Sequence, residues 1–370
     1  MKQDRLSKIT IRGYKSIAYD NPVTLNLQDV TLLIGANGAG KSNILSFFKL
    51  LGFMMNGALQ RYVEQEGTSN SLLHYGVKVT PQLSCELVYQ DEQRTNTYRF
   101  TLAHATEGRL LIDDEKVFSN CGRTSDDVQG IASSYNYRES DLLKSTADKA
   151  IRIRENLLQT KFYQFHDSSS NGPLRQASQV DTPNYLQTQA TNLAAFLLFL
   201  KENYPVEFRK IEEHVRFVVP NFREFYLVPN KGYVSLKWYD TSGNDYVLTA
   251  DQLSDGSIRF IALATLLLQP QETIARVIIL DEPELGLHPM AIDALAHLIE
   301  DASLKSQILV STQSKELIDY FEPQNIAVVE MAEDSHTTTV QQLDNEALSS
   351  WLENYTLSEL WDKNVLGGRP

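Results

Sequence analysis

The chain is poor in the features that would place it in a membrane, in a secreted disulfide scaffold or along a nucleic-acid backbone. Its 370 residues contain no apolar run near the roughly 20 residues a membrane helix needs. The longest, Leu193 to Leu200, reads as one face of a buried helix. The amino-terminal residues, with Lys2, Asp4, Arg5 and Lys8, lack the apolar core of a secretory signal. Cysteine is scarce: Cys85 and Cys121 match no metal-ligand spacing and are expected to be reduced thiols. An excess of positive charge is also missing. The net charge of -13 argues against a protein that coats nucleic acid non-specifically, because phosphate attraction drives such binding. A local basic groove is still open, with Lys149, Arg152, Arg154 and Lys161 as the candidate cluster. A solvated helix face is the more ordinary reading of such a run. There are no internal repeats and no sustained heptads, so a long coiled-coil arm is not expected. These absences lead to the expectation of a soluble cytoplasmic protein without a membrane partner.

With 42% hydrophobic and 22% charged residues, the chain has room for a large α/β core and one or two inserted lobes. Lys8 to Arg12 and Val23 to Leu27 read as strands, and the apolar run Val30 to Ile34 as a buried one. A glycine-rich turn and an apolar helix, Asn43 to about Met55, follow. From Leu83 to Phe118 the pattern is period-two, with Leu83, Cys85, Leu87 and Tyr89 alternating with polar residues, and then Tyr98, Phe100 and Leu102. That predicts an antiparallel β lobe. Residues from about Ser140 to Val218 read mostly as helix by apolar periodicity, interrupted by a polar loop from Ser168 to Ser178. Phe225 to Val228, Val234 to Trp238 and Tyr246 to Leu248 return to strands. From Ser254 onward helix and strand alternate, as in a parallel sheet with covering helices. The expected division is 1–139 for the first part of the core, 140–222 for an inserted helical lobe and 223–370 for the second part of the core.

Gly35-Ala36-Asn37-Gly38-Ala39-Gly40-Lys41-Ser42 fits the P-loop pattern without a mismatch, between an apolar strand and a helix. Its glycines let backbone N–H groups turn inward around phosphates, and the following helix points its positive end at the same anion. Asn37, Gly38, Ala39, Gly40, Lys41 and Ser42 are therefore the expected nucleotide contacts. Lys41 reaches the β- and γ-phosphates, and Ser42 holds Mg²⁺. Val277-Ile278-Ile279-Leu280-Asp281-Glu282-Pro283 is a buried-strand run that ends in two carboxylates, where an α/β sheet opens onto its ligand crevice. With a P-loop upstream, Asp281 is expected to hold Mg²⁺ and Glu282 to polarise the attacking water as general base. Taken alone, Leu253-Ser254-Asp255-Gly256-Ser257 is a helix N-cap followed by a turn glycine. His166 beside Asp167 reads as a packed or substrate-sensing histidine, because sequence neighbours need not face each other.

In this order the motifs resemble the RecF/SMC/OLD-like, ABC-type (AAA-type) ATPases of bacteria. The matching features run from Ile11-Arg12-Gly13-Tyr14-Lys15-Ser16 through the P-loop, Phe165 to Ser168, Leu253 to Gly256, Asp281 to Pro289 and Ser311 to Ser314. The ending Leu360-Trp361 with Gly367-Gly368-Arg369-Pro370 belongs with them. The resemblance implies an α/β P-loop NTPase of the ABC/SMC-head type, with an antiparallel β lobe and an inserted helical lobe. It implies ATP and Mg²⁺ as ligands and an ATP-sandwiched homodimer, in which Ser254 and Gly256 of one chain meet the γ-phosphate held by Lys41 of the other. Glu284 to Pro289 matches the family's D-loop region, where His288 is expected to form hydrogen bonds. Gln313 stands where many relatives carry a histidine that contacts the γ-phosphate. An amide still donates a hydrogen bond but carries no positive charge, so turnover is expected to be slow or conditional. The Q-loop glutamine that senses Mg²⁺ is Gln164 or, as a weaker rival, Gln82. Relatives of this kind work in DNA repair or antiphage defence, which implies DNA and a co-encoded effector, a nuclease or toxin, as partners. About 55 residues follow Ser314, too few for the Toprim nuclease of OLD-type relatives, so nuclease activity is expected of another protein.

Three functions compete. The first is an ATP-driven dimerisation switch that hydrolyses ATP. The second is a scaffold that binds ATP with little turnover, to which Gln313 lends weight. A transporter ATPase subunit is disfavoured, because such subunits place the signature sooner after the P-loop.

Overall fold

The computed structural model describes residues 4–91, 94–120, 127–130, 137–181 and 184–369. The chain forms two compact units, residues 1–162 with 321–370, and residues 163–320.

The first unit contains a six-stranded antiparallel sheet in the order Val23–Asn26, Arg5–Arg12, Gln82–Gln90, Thr95–Ala105, Arg109–Asn120, Asp127–Gly130. Period-two alternation puts one apolar set on one face. Leu83 faces Leu102, Cys85 faces Phe100 and Leu87 faces Tyr98, and all six are buried. Helix Lys41–Met55 covers that face. Phe47 stacks on Phe100 with ring centroids 6.4 Å apart, and Tyr14 meets Phe47 edge-on at 5.0 Å. Each such buried ring contributes roughly 1.5–3 kcal/mol of transfer free energy. A second sheet in this unit pairs Val30–Ile34 in parallel with Ile326–Met331, which pairs antiparallel with Thr338–Gln342. All five residues of Val30–Ile34 are buried, as its unbroken apolar run requires.

In the second unit Val277–Asp281 and Gln307–Ser311 run in parallel from Val277 opposite Gln307 to Asp281 opposite Ser311. Helix Pro289–Ser303 connects them and buries Ala291, Leu295, Leu298 and Ile299. Helices Pro205–Val218 and Asp255–Leu267 pack beside it, and Leu193–Asn203 packs against those two. A three-stranded antiparallel sheet of Phe222–Phe225, Lys237–Asp240 and Val247–Thr249 completes the unit, with the short pair Ser178–Gln179 and Tyr233–Val234.

Several expectations change. The compact units divide the chain at 162/163 and 320/321, a different partition from the expected core and lobe bounds at 139/140 and 222/223. Helix takes up about half of the segment from Ser140 to Val218, gathered at its two ends. Helices occupy Asp148–Leu158, Leu193–Asn203 and Pro205–Val218, but Thr160–Tyr163 is a strand and the described residues of 164–192 are largely irregular apart from the short helical turn Pro173–Arg175. Phe165 and Leu186 are buried there without helical periodicity, because tertiary packing can bury an apolar residue on irregular backbone. The expected strand Val234 to Trp238 splits between two sheets, and Phe225 to Val228 gives way to Phe222–Phe225, whose pairing with Lys237–Asp240 carries an irregularity between Phe222 and Glu224. The basic cluster is no solvated face: Lys149, Arg152, Arg154 and Lys161 are all half-buried. Arg154 donates to the carbonyls of Leu142, Leu143 and Ser145. Cys85 is buried, as a reduced core thiol should be, whereas Cys121 lies outside the described residues. Among the described residues no helix is long and apolar enough to cross a membrane.

Candidate functional site

The P-loop residues all lie in the first unit. Asn37 and Gly38 form its exposed tip, Ala39, Gly40 and Lys41 are buried, and Ser42 is exposed on the first turn of helix Lys41–Met55. The Ala39 amide closes a turn on the Ala36 carbonyl at 3.2 Å. The helix N-terminus has no side-chain cap, the Asn43 and Ile44 amides turn back onto the Gly40 carbonyl at 3.0 and 3.1 Å, and the positive end of the helix faces the loop. Lys41 Nζ donates to the carbonyls of Gly35 at 2.5 Å and Ala36 at 3.1 Å, which curls the lysine over the loop.

A relay of neutral groups holds the loop from behind. Asn43 Nδ2 donates to Ser16 Oγ at 2.7 Å, Ser16 lies 2.7 Å from Thr338 Oγ1, and Thr338 Oγ1 donates to the Ala39 carbonyl at 2.9 Å. A hydroxyl has one proton to give, so this chain fixes every direction: Asn43 to Ser16 to Thr338 to Ala39. Gly40 is in the left-handed region at φ 112°, and a Cβ there would lie 2.0 Å from Thr338 Oγ1. The glycine is therefore needed twice, for its backbone and for the threonine. Sequence reading quoted Ser16 within a motif but had no signal for Thr338, which is 296 positions away from Ser42 (338 − 42).

The acidic strand end lies in the second unit. Ser311 Oγ donates to Asp281 Oδ1 at 2.5 Å, and the Glu282 amide donates to the Ser311 carbonyl at 2.9 Å. Glu282 is held in the left-handed region at φ 43°, a costly backbone for a non-glycine residue. Its Oε1 accepts a short hydrogen bond from Gln313 Nε2. The two residues expected to act in catalysis are thus brought together. Glu284, which sequence reading placed only in a D-loop, accepts from Thr312 Oγ1 at 2.5 Å and from the Gln313 amide at 3.1 Å. Its other oxygen is buried without a partner. Burial pushes the Glu284 carboxyl above its ordinary value of 4.5 against those two hydrogen bonds, and neighbouring Glu282 adds a smaller push. A second carboxylate shortly after the Asp281-Glu282 pair was the available sequence signal.

Gln164 and His166 join this group. Gln164 Nε2 lies 3.3 Å from His166 Nδ1, and His166 Nε2 lies 2.9 Å from the Asp281 carbonyl. A carbonyl only accepts, so Nε2 carries the proton and Nδ1 accepts from the amide. Gln82 begins a strand of the first unit and donates to Tyr19 Oη at 2.8 Å. His288 Nδ1 caps helix Pro289–Ser303 by accepting from the Met290 amide at 3.4 Å.

Ser254 caps helix Asp255–Leu267, accepting from the Ser257 amide at 3.1 Å, and remains exposed. Gly256 meets the turn that follows the acidic strand: a Cβ there would lie 2.5 Å from the Gly286 carbonyl. Two arginines tie the surrounding segments together. Arg175 donates to the carbonyls of Ser168, Ala250 and Leu253 and to Asp255 Oδ1. Arg259 donates to the carbonyls of Leu285 and His166, both at 2.7 Å.

An uncapped helix behind a glycine-rich loop, and a parallel strand that ends in two carboxylates, define a P-loop nucleotide-binding fold of the ABC/SMC-head type. Family comparison agrees. The chain belongs to the AAA-domain family described as "AAA domain, putative AbiEii toxin, Type IV TA system", whose family model matches residues 30–319. Its fold is similar to that of an Smc head bound to the C-terminal winged-helix domain of ScpA, with a TM-score of 0.61 and 17% identity, over 93% of this chain and 99% of that one. An Smc head with an extended coiled coil, bound to the C-terminal domain of ScpA from Pyrococcus furiosus, matches with a TM-score of 0.58 and 16% identity over 95% and 99%. The Smc head domain of Thermotoga maritima matches with a TM-score of 0.50 and 16% identity over 92% and 99%. No curated protein matches the chain in sequence.

This fold implies nucleotide binding, usually with Mg²⁺. The residues present suit both. In the first unit the Lys41 ammonium and the helix N-terminus supply chemistry suited to polyphosphate, and the Ser42 hydroxyl there, like the Asp281 carboxylate in the second unit, is a hard oxygen donor of the kind Mg²⁺ prefers.

Proposed function

We propose that the protein binds ATP on Gly35–Ser42 and hydrolyses it, and that ATP-dependent pairing of two copies switches a partner. The observation that carries the reading is the hydrogen bond from Gln313 Nε2 to Glu282 Oε1. A neutral donor orients the carboxylate through Oε1 and leaves Oε2 as the atom to accept from water. Glu282 takes the proton of the attacking water as oxygen adds to the γ-phosphorus. The bond to the β,γ-bridging oxygen breaks, and ADP leaves with that electron pair. Lys41 and the loop amides hold the β- and γ-phosphates, and Ser42 and Asp281 are the residues assigned to Mg²⁺, which when bound neutralises phosphate charge. Gln164 is assigned as the Q-loop glutamine, since its link through His166 lets it respond to a change at Asp281. Ser254 and Gly256 are assigned to the γ-phosphate held by the second copy, and the exposure of Ser254 on a helix N-terminus supports this.

The family description, with its toxin, and the ScpA domains on the Smc heads support a partner-controlled role. The partner class is a co-encoded effector, a nuclease or toxin, in DNA repair or antiphage defence, with DNA as a candidate ligand. A second reading, a scaffold that binds ATP with little turnover, draws on the absence of positive charge at Gln313. Steady-state ATP hydrolysis by wild type and Glu282→Gln, with and without DNA, followed by light scattering, separates the two. Turnover that vanishes in the variant while an ATP-bound dimer accumulates supports the switch. Tight ATP binding without turnover in either protein favours the scaffold, and no binding at all sinks both.

A further inference from the structure

We propose that Trp361, Gly367 and Gly368, together with Glu330, form a strap that fixes Gly35, the base of the phosphate loop. Glu330 and Trp361 are then positioning residues for that loop. The proposal of what the strap serves rests on the reading of residues 35–42 as a polyphosphate site.

Gly368 is committed in every direction. Its amide donates to Glu330 Oε1 at 2.6 Å, and its carbonyl accepts from Trp361 Nε1 at 2.8 Å. Trp361 is fully buried, and Leu360 and Leu366 around it are buried too, so the indole holds that carbonyl from a rigid position. Gly367 and Gly368 are both left-handed, at φ 79° and 60°. A Cβ on Gly368 would lie 2.5 Å from Val328 Cγ1 and 3.4 Å from Gly35 Cα. The strap therefore packs directly on the first residue of the loop.

Gly35 is closed in from another direction as well, since a Cβ there would lie 2.1 Å from the Val329 carbonyl. Its own carbonyl accepts from Lys41 Nζ. Whatever fixes Gly35 thus fixes a partner of the loop lysine. A loop held in its binding shape before the ligand arrives loses less conformational entropy on binding, so the strap is expected to raise nucleotide affinity. A strap that merely closes the core would change global stability and leave the loop no more mobile than the rest of the unit.

The test uses the full chain and two readouts: hydrogen exchange without nucleotide, and calorimetric titration with ATP and Mg²⁺. Glu330→Ala is expected to raise exchange over residues 35–42 but not over the strand Gln82–Gln90, and to weaken ATP binding about ten-fold. Glu330→Gln keeps an acceptor oxygen and is expected to restore both. Gly368→Ala is expected to show the same pattern more strongly. Wild-type exchange over 35–42 in Glu330→Ala, or a rise spread equally over both segments, overturns the strap while wild-type ATP binding leaves the nucleotide reading standing. Raised local exchange in a protein that binds no ATP supports the strap and defeats the nucleotide reading.

Discussion

The phosphate loop and the acidic strand end solve opposite electrostatic problems. The loop is organised by neutral groups: the Asn43–Ser16–Thr338 relay, the Trp361 indole and backbone carbonyls, with Lys41 as its only charged side chain and Glu330 behind it. The acidic end gathers Asp281, Glu282 and Glu284, and surrounds them with hydroxyl and amide donors from Ser311, Thr312 and Gln313. A site for an anion presents donors, and neutral donors stay put as pH changes. A site for a cation and a water proton needs carboxylates, and burying one of them, Glu284, raises the cost of ionising it. Sensitivity to pH should therefore reside in the second region, and sensitivity to nucleotide in the first.

The largest expected effect tests the first half of that contrast. Lys41→Ala should abolish measurable ATP binding in calorimetry, whereas Glu282→Gln should leave binding intact and remove turnover. Equal loss of binding in both variants would erase the division of labour. A smaller effect is expected from Thr338→Val, which keeps shape but leaves the Ala39 carbonyl without its donor. ATP affinity should fall several-fold, and stability by about 1–3 kcal/mol, since both hydrogen bonds of the Thr338 hydroxyl, to Ser16 and to Ala39, are lost. Denaturant titration and calorimetry together would show whether the relay matters to the loop.

The smallest effect is a pH dependence. The Glu284 carboxyl is raised above 4.5, chiefly by burial, so the folded state holds its proton more tightly than the unfolded chain does. Stability from this group is greatest below the unfolded value. It falls as pH rises from about 4.5 through the raised folded value, and stays low above it. Glu284→Gln keeps an acceptor for Thr312 and Gln313 but cannot ionise. Its Tm should gain on wild type as pH rises through that window, and a difference independent of pH would refute the assignment. Arg175→Lys should matter less for pH and more for order. A lysine cannot reach three carbonyls and Asp255 in the geometry of a guanidinium, so exchange over residues 250–256 should rise.

Much of this was readable along the chain, where the needed chemistry is contiguous. The P-loop, the strand run into Asp281 and Glu282, the alternating strands of the β lobe and the Ser254 cap all depend on residues within a few positions of one another. Backbone geometry imposes their spacing directly. Residues 140–218 were harder. Their apolar residues suggested mostly helix with a polar break from Ser168 to Ser178, but Phe165 and Leu186 are buried on irregular backbone, and burial without regular structure leaves no period to find. The basic cluster misled for a related reason: charge along a helix says nothing about carbonyls such as those of Leu142 and Leu143 that are waiting to be paired.

By itself the sequence determined the class of protein, because eight consecutive residues between a strand and a helix suffice to shape a phosphate loop, and two carboxylates at a strand end suffice to propose its chemistry. Only the tertiary structure decided what holds those pieces in place. Thr338 against Gly40, Gly368 against Gly35 and Glu284 accepting from the Gln313 amide are contacts between residues from 29 to 333 positions apart (313 − 284 for Glu284 with Gln313, 368 − 35 for Gly368 with Gly35). Such contacts depend on how strands pair and helices pack, and a local pattern carries no record of them.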